Sequence, residues 1–460
     1  MDGTRKAAII MLTYNNFQYS KDCIESIRKY TAANTYEIIV VDNNSTDETR
    51  EWLKAQSDIK LCLNDKNEGF PRGCNIGIRM AEPGSDIMLL NNDTIVTPNW
   101  LANLQTCLYS DDSIGAAGAV SNHNENLQGI PFCYQNTDQI QEYADKNNIS
   151  DKARWEEKVF LIGYCLLIKR EVIEKIGLLD EAYSPGYVED NDLSIRILKA
   201  GYRLMLCHDC FIHHYLGSGF RKDLSRFYPV LYANRATFLK KWGFETIRFD
   251  EVKFDSLRIL NEPDKQKSMN ILELGCGIGV TLLKIKYQYP GTTLYGWEPD
   301  AAMAKISQHF AAVSTDALDV ALKQYEDAFF DYIMIGHYPE TVRDPKALLE
   351  GVKKKLKPGG WVIVSIQNIM HFNRIHDLLN GKWFLSGCRQ SKSVTTDFTL
   401  KDFSALLAGC GYTGQFTFHW FSVLNETDQA YIQKLCEISE NEKEYNFRTY
   451  LYSIKAQKPL

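Results

Sequence analysis

The stretch Asn270-Ile271-Leu272-Glu273-Leu274-Gly275-Cys276-Gly277-Ile278-Gly279 decides how the chain is organised. Asn270–Leu274 reads as a buried strand, the glycines as a tight turn, and the residues after Gly279 as a helix leading to a further strand, Thr293–Trp297. Glycines let the backbone pass close beneath a ligand, and the first turn of the following helix offers free N–H groups. A strand, glycine-rich turn, helix and strand in succession is how an α/β domain begins. Just upstream, Phe249 to Met269 is charged and mixed, with Asn261, Glu262, Pro263 and Asp264, so the unit is a fresh start. We therefore place one domain at residues 1–250, a linker at 251–267 and a second domain at 268–460.

Working back from that start, the first half alternates in the same way. Ala7–Leu12, Glu37–Val41, Lys60–Leu63 and Ile87–Leu90 read as strands. Between them Cys23, Ile24, Ile27 and Tyr30 recur at helical spacing, and Arg72–Met80 reads as a second helix. Strands alternating with helices predict parallel pairing with helices on both faces, so the fold class is α/β with two domains. A length of 460 residues agrees with more than one domain. Hydrophobic residues at 45% and charged residues at 24% exclude wholesale disorder. A net charge of −6 leaves no basic surplus for gripping nucleic acid. The longest near-continuous apolar stretch, Val159 to Ile168, is about half of what a bilayer span needs. The run Ala7–Leu12 is too short for a signal peptide. The 12 cysteines are thinly spread rather than packed into a disulfide framework, which predicts reduced thiols in a cytoplasmic enzyme.

Ligand sites in open parallel sheets lie at the carboxyl ends of the strands. In the first domain those ends carry Thr13-Tyr14-Asn15-Asn16, then Asp42-Asn43-Asn44-Ser45-Thr46-Asp47, then Asn91-Asn92-Asp93. Asp42 can accept from a pyrimidine N3–H, with backbone groups of the Thr13–Asn15 turn beside it. A carboxylate facing a diphosphate needs a hard cation between them, and Asp93 is the natural oxygen ligand for Mg²⁺ or Mn²⁺.

These pieces resemble the family 2 inverting glycosyltransferases of GT-A fold, over roughly residues 6–245. The ordered matches are the Thr13-Tyr14-Asn15 turn, Val41 to Asp47, and Asn67-Glu68-Gly69-Phe70 with Asn75 and Gly77. Next come Leu89 to Thr94, an Asp-x-Asp variant with Asn91 first and Asp93 last, then Gly163 in an apolar strand and Gly177 to Glu181. The series closes on Glu189-Asp190-Asn191-Asp192-Leu193 with Arg196. The resemblance implies inverting transfer of a sugar from a UDP- or dTDP-linked donor to a glycan or glycoprotein. It places Asp190 as the base that deprotonates the acceptor hydroxyl, with Glu189 and Asp192 raising its pKa. Thr13, Tyr14, Asn15, Asp42, Asn67, Gly69, Asn75, Asn91, Gly163 and Glu189 then contact substrate. His213 completes the metal site with Asp93, because Ser218 follows it at the family's spacing. A zinc site built from Cys207-x-x-Cys210 and the histidines is the competing arrangement, and crowding into eight positions of strand and turn opposes it.

In the second domain the spacing Gly275-x-Gly277-x-Gly279 differs from a dinucleotide fingerprint. Glu273, two positions before the first glycine, suits the cationic amino-acid end of S-adenosylmethionine, and Glu298 closes the next strand where ribose hydroxyls would be accepted. This half resembles the class I S-adenosylmethionine-dependent methyltransferases over roughly residues 268–456. Asp316 falls at the position that meets the adenine amino group, Phe330–Met334 is the fourth strand, and Leu356-Lys357-Pro358-Gly359-Gly360 leads into the next. After the fourth strand, Gly336-His337-Tyr338-Pro339-Glu340 lacks the motifs of base-amine and cytosine-C5 enzymes, so a hydroxyl acceptor is expected with His337 as its base. His371, His376 and Trp383 are candidates for an acceptor wall or for plain lid residues. The chain as a whole reads as a bifunctional enzyme that transfers a sugar and O-methylates a sugar hydroxyl. Two other readings stand beside it: a second domain that only binds, or a Ser/Thr hydroxyl of a surface protein as acceptor. Oligomeric state is not legible.

Overall fold

A computed structural model describes residues 5–122, 127–130, 136–215, 224–336, 342–382, 397–440 and 442–460. The chain divides into two compact units, one ending at Glu251 and the other beginning at Val252. No helix among the described residues is long and apolar enough to cross a membrane.

The strands of the first unit are β1 (Ala7–Thr13), β2 (Tyr36–Asp42), β3 (Ile59–Leu63), β4 (Asp86–Leu90), β5 (Thr94–Ile95), β6 (Ile114–Val120), β7 (Trp155–Lys158), β8 (Cys165–Ile168), β9 (Arg203–Phe211) and β10 (His213–His214). Eight of them form one sheet in the order β3-β2-β1-β4-β8-β6-β9-β7, while β10 and β5 pair separately. Residues 7–11 of β1 are all buried, as a strand covered on both faces requires. The Phe17–Tyr30 helix supplies one cover by turning Cys23, Ile24 and Ile27 into the core. The Phe70–Met80 helix packs so closely that a Cβ on Gly77 would lie 2.5 Å from Ile10 Cγ2.

The sheet is mixed rather than uniformly parallel, because β8 runs antiparallel to both β4 and β6. Gly163 lies just before β8, not inside a strand. The apolar run beginning at Val159 signalled burial, and Val159, Phe160 and Leu161 are indeed buried outside any strand. An apolar run by itself cannot separate a paired segment from a buried connection.

The second unit contains β11 (Met269–Leu274), β12 (Thr292–Trp297), β13 (Ala312–Ser314), β14 (Phe330–Ile335), β15 (Leu356–Gln367), β16 (Thr413–Phe421) and β17 (Thr449–Gln457), ordered β13-β12-β11-β14-β15-β17-β16. β17 runs antiparallel to both of its neighbours, β15 and β16. Leu274 lies level with Trp297 on one side and Ile335 on the other, so three strand ends open at one edge, where the strand order reverses. The stretch expected as a linker is part of this unit. Its helix, Phe254–Ile259, buries Leu257, and Leu260 follows into the same core with Met269, Ile271 and Leu282. Charged neighbours masked that one-sided apolar pattern.

Candidate active sites at the strand ends

In the first unit, β1 and β2 end in register, with Thr13 opposite Asp42. Asp42 has no exposed surface. Its Oδ2 accepts from the Thr13 hydroxyl at 3.0 Å and from the Ser45 hydroxyl. Its Oδ1 accepts from Ser45 N–H at 3.0 Å and lies 3.3 Å from Arg50 Nε. Three hydrogen bonds and the Arg50 charge thus hold Asp42 in place at the strand end. Asn15 is held similarly: its N–H donates to Ser45 Oγ at 2.7 Å and its Oδ1 accepts from Thr46 N–H at 2.7 Å. Tyr14 between them is half exposed.

Asn67 Oδ1 accepts from Gly69 N–H at 2.9 Å, and Phe70 N–H donates to Pro185 O at 2.7 Å. Gly69 has φ +82°, and a Cβ there would lie 2.7 Å from Pro185 Cα, so only glycine permits this approach. Asn75 exchanges hydrogen bonds with Leu179, donating to its carbonyl at 2.9 Å and accepting from its N–H at 3.0 Å, and also donates to Glu181. Asn67, Gly69 and Asn75 therefore hold the segment that leads to Asp190. From the other side Asn234 donates to the carbonyls of Tyr183, Gly186 and Tyr187 at 2.7, 2.7 and 3.0 Å. This bracing sustains Tyr187 at φ +72° and Val188 at φ +78°, conformations costly for side chains of their size.

The Glu189–Lys199 helix starts from that turn. Asp190 is partly exposed and its Oδ2 accepts a long bond, 3.4 Å, from Gly163 N–H. Glu189 is buried, and its Oε2 has no hydrogen-bond partner. Burial, then the negative charge of Asp190, pushes the Glu189 carboxyl well above the ordinary carboxylate range. Asp192 lends no such charge, because Arg196 Nε at 2.8 Å and Lys241 Nζ at 2.6 Å neutralise it. The upward push thus falls on Glu189, the buried neighbour of Asp190.

Gly163 also ties this base position to the acidic strand end. The next residue, Tyr164, accepts from Asn91 N–H at 2.9 Å and lays its ring on His214, with centroids 5.1 Å apart. His214 Nε2 lies 3.1 Å from Asp93 Oδ1, and Asn122 fixes the His214 backbone from both sides at 2.8 and 3.2 Å. Neighbouring side chains on a strand point oppositely. The His214 ring meets Asp93, and the favoured His213 packs edge-on against Tyr215. Ser218 lies outside the described residues. Asn91 Oδ1 is buried without a hydrogen-bond partner, an acceptor left open beside Asp93 in sequence. Among the described residues no group of three or more His, Cys, Asp or Glu converges for a metal. A divalent ion here would draw on Asp93 and an imidazole and complete its shell with phosphate oxygens, a donor set that fits hard cations. Cys207 and Cys210 are buried core thiols that burial pushes up, which removes the zinc arrangement's ligands from solvent.

In the second unit Glu273 is fully buried at the end of β11. Its Oε1 accepts from Lys253 Nζ at 2.6 Å, and the same ammonium donates to Gly275 O at 2.6 Å. Glu273 Oε2 has no hydrogen-bond partner. Burial raises the Glu273 carboxyl and the Lys253 charge pulls it back, while Glu273 keeps Lys253 above its ordinary value against the effect of burial. A Cβ built on Gly275 or Gly277 would meet nothing within 4 Å, so space opens over both glycines. Glu298 accepts from Gly277 N–H at 2.8 Å and Asp300 N–H at 2.9 Å, one bond per oxygen, with a lone pair of each left over. Gly279 stands closer, and a Cβ there would strike the Phe310 ring at 2.5 Å. Asp316 is exposed, and its Oδ2 accepts from Gln324 at 2.7 Å. His337 and Trp383 lie outside the described residues. His371 is buried on Ser422 Oγ at 2.8 Å with its pKa lowered to about 4 by burial, then by Arg374, and so packs rather than lines an opening.

The sequence did not single out Arg50, Asn234 or Lys253, and it ranked His214 behind His213. Asn234 meets partners 51, 48 and 47 positions away, a separation that leaves no local pattern. Two open strand ends with polar acceptors and glycine space are the mark of an α/β protein with two ligand sites. Comparison with known families agrees: residues 8–177 match the model "Glycosyl transferase family 2", and residues 245–413 match "Methyltransferase domain". The chain carries a family 2 glycosyltransferase domain followed by a methyltransferase domain.

Among curated proteins, the glycosyltransferase GlyG of Streptococcus pneumoniae serotype 4 is 25% identical over 180 residues, 37% of this chain and 58% of that protein. This chain thus spans just over half the length of that relative. The dTDP-rhamnosyl transferase RfbF of Shigella flexneri is 24% identical over 45% of this chain and 68% of its own length. Among solved structures, an S-adenosylmethionine-dependent methyltransferase from Archaeoglobus fulgidus is 18% identical, with 48% of this chain and 99% of that chain covered and a TM-score of 0.34.

Proposed function

We propose that the chain is a bifunctional transferase, inverting as a glycosyltransferase and acting on a sugar hydroxyl as a methyltransferase. The observation that carries the first half is the juxtaposition of Asp93–His214 with Asp190 through Gly163 and Tyr164. In this reading the acceptor oxygen forms its bond to the anomeric carbon as the bond to the diphosphate breaks, and the hydroxyl proton passes to Asp190. Burial and the neighbouring charge of Asp190 push the Glu189 carboxyl up, which disfavours a second carboxylate beside the base. A Mg²⁺ or Mn²⁺ bound at Asp93 would neutralise the departing diphosphate. The half-exposed Tyr14 is placed to face a base, and Asp42, Asn67 and Asn75 act by holding loops. The likeness to a dTDP-rhamnosyl transferase favours a dTDP-linked deoxysugar as donor, and a glycan is the acceptor proposed with it.

The second half rests on the open acceptors at Glu273 and Glu298 beside unobstructed glycines. S-adenosylmethionine, when bound, supplies a methyl group activated by its sulfonium. Glu298 would accept from the ribose hydroxyls and Asp316 from the adenine amine. Tethering keeps the second site at high effective concentration near the first site's product. We place both activities in the cytoplasm, with soluble donors.

Calorimetric titration with S-adenosylhomocysteine and with UDP and dTDP plus Mn²⁺ tests this directly. Both classes should bind, Gly277→Arg should abolish only the first, and Asp93→Ala only the metal-dependent second. Binding of a nucleotide alone would reduce the second domain to a scaffold.

A further inference from the structure

The Lys253–Glu273 contact contains more than a buried ion pair needs. Lys253 Nζ carries three N–H groups, of which two are used, on Glu273 Oε1 and on Gly275 O, each at 2.6 Å. The third has no partner among the described residues. Glu273 carries two oxygens, of which Oε2 is buried and unpartnered. One open donor and one open acceptor therefore stand side by side on oppositely charged groups. That pattern is complementary to a zwitterion, an ammonium and a carboxylate on one carbon.

Three features keep Lys253 in place rather than leaving it as a plug to be expelled. Its backbone N–H is anchored on Thr281 Oγ1 at 3.0 Å. Its stem lies against Gly336 at the end of β14, where a Cβ would come within 3.3 Å of Lys253 Cε. Its side chain is 24% exposed whereas Glu273 is sealed, so the ammonium forms the mouth of the pair and the carboxylate its floor. The charges of Asp255 and Glu298 also act on Glu273, so removing the lysine would leave several carboxylates facing one another.

We propose that Lys253 recognises the α-carboxylate of S-adenosylmethionine while Glu273 Oε2 and the space over Gly275 receive its α-ammonium; this rests on the cofactor reading of the second domain. The pair selects for an intact amino-acid tail, and a ligand with only the adenosyl and thioether parts bypasses it.

The test is calorimetry on the full chain with S-adenosylhomocysteine and with 5′-methylthioadenosine, which lacks the amino-acid tail. Lys253→Met should weaken S-adenosylhomocysteine by about ten- to a hundredfold, the worth of a charged hydrogen bond, and leave 5′-methylthioadenosine within about twofold. Lys253→Arg should recover part of the loss. Unchanged or tighter S-adenosylhomocysteine binding in Lys253→Met would mean that the lysine merely fills the tail's place, and would overturn the proposal. Equal weakening of both ligands would overturn it too, by showing a structural role. Wild-type protein that binds neither ligand would sink the cofactor reading and the proposal together. Where Lys253→Met fails to fold because Glu273 is left unpaired, Lys253→Met with Glu273→Gln removes both charges. The same selective loss is expected of it, and equal loss overturns the proposal.

Discussion

Glu189 in the first domain and Glu273 in the second are both buried at the edge of an open site, and each leaves Oε2 without a partner. They differ in what stands beside them. Glu189 has the carboxylate of Asp190 as its neighbour, so burial and like charge together push its carboxyl up. Glu273 has the ammonium of Lys253 at 2.6 Å, whose positive charge opposes the upward push of burial. A buried carboxyl without a cation becomes a neutral group, and one with a cation becomes half of a recognition pair. The same residue type, at a helix start in one domain and a strand end in the other, thus serves opposite electrostatic ends.

Asp190→Asn puts the neutral role of Glu189 to the severest test. If Glu189 is neutral and enclosed, it cannot take over as base, and turnover should fall by about 10³- to 10⁴-fold with nucleotide affinity unchanged. Transfer within about tenfold of wild type would mean that Glu189 ionises after all. Single-turnover rates beside dTDP titrations decide it.

Next in size is Glu273→Ala, which strands the Lys253 ammonium. Losing one partner of a buried pair costs about 3–5 kcal/mol; because Lys253 is a quarter exposed, we expect about 2 kcal/mol, read by hydrogen exchange in β11 and β14. Exchange unchanged from wild type would show that the pair is not coupled to the sheet.

The smallest effect is the most diagnostic. Glu189→Gln replaces a neutral carboxyl by a neutral amide and should shift stability by less than about 0.5 kcal/mol near pH 4. The folded pKa of Glu189 lies above its unfolded value near 4.5, so the folded state holds the proton that the unfolded chain has released. Its contribution is fully present below pH 4.5 and is lost as pH rises through the folded value. The glutamine variant lacks that loss and should gain on wild type in urea midpoint as pH rises. A difference that shrinks with pH would place the charge on Glu189 instead.

Much of the fold was legible. Apolar runs bounded by turn residues marked β1, β2, β4, β11, β12 and β14 to within a residue or two, since a strand buried on both faces must be apolar throughout. Burial without pairing was not legible, which is why residues 159–164 and the antiparallel β8 departed from the parallel expectation. The acidic clusters also stood out, because carboxylates gathered at strand ends serve no packing purpose.

By itself, then, the sequence determined two α/β domains, the strand ends where ligands would meet them, and the residue types set there. These follow from local patterns of period and turn chemistry. Only the tertiary structure decided which of those side chains remain available. Asp42, Asn67 and Asn75 each hold a loop through their side-chain oxygens, His214 comes against Asp93, and Lys253 of a supposed linker joins Glu273. Hydrogen bonds and charge pairs are set by distance in space, and partners such as Asn75 with Leu179, 104 positions apart, meet only once the chain has folded.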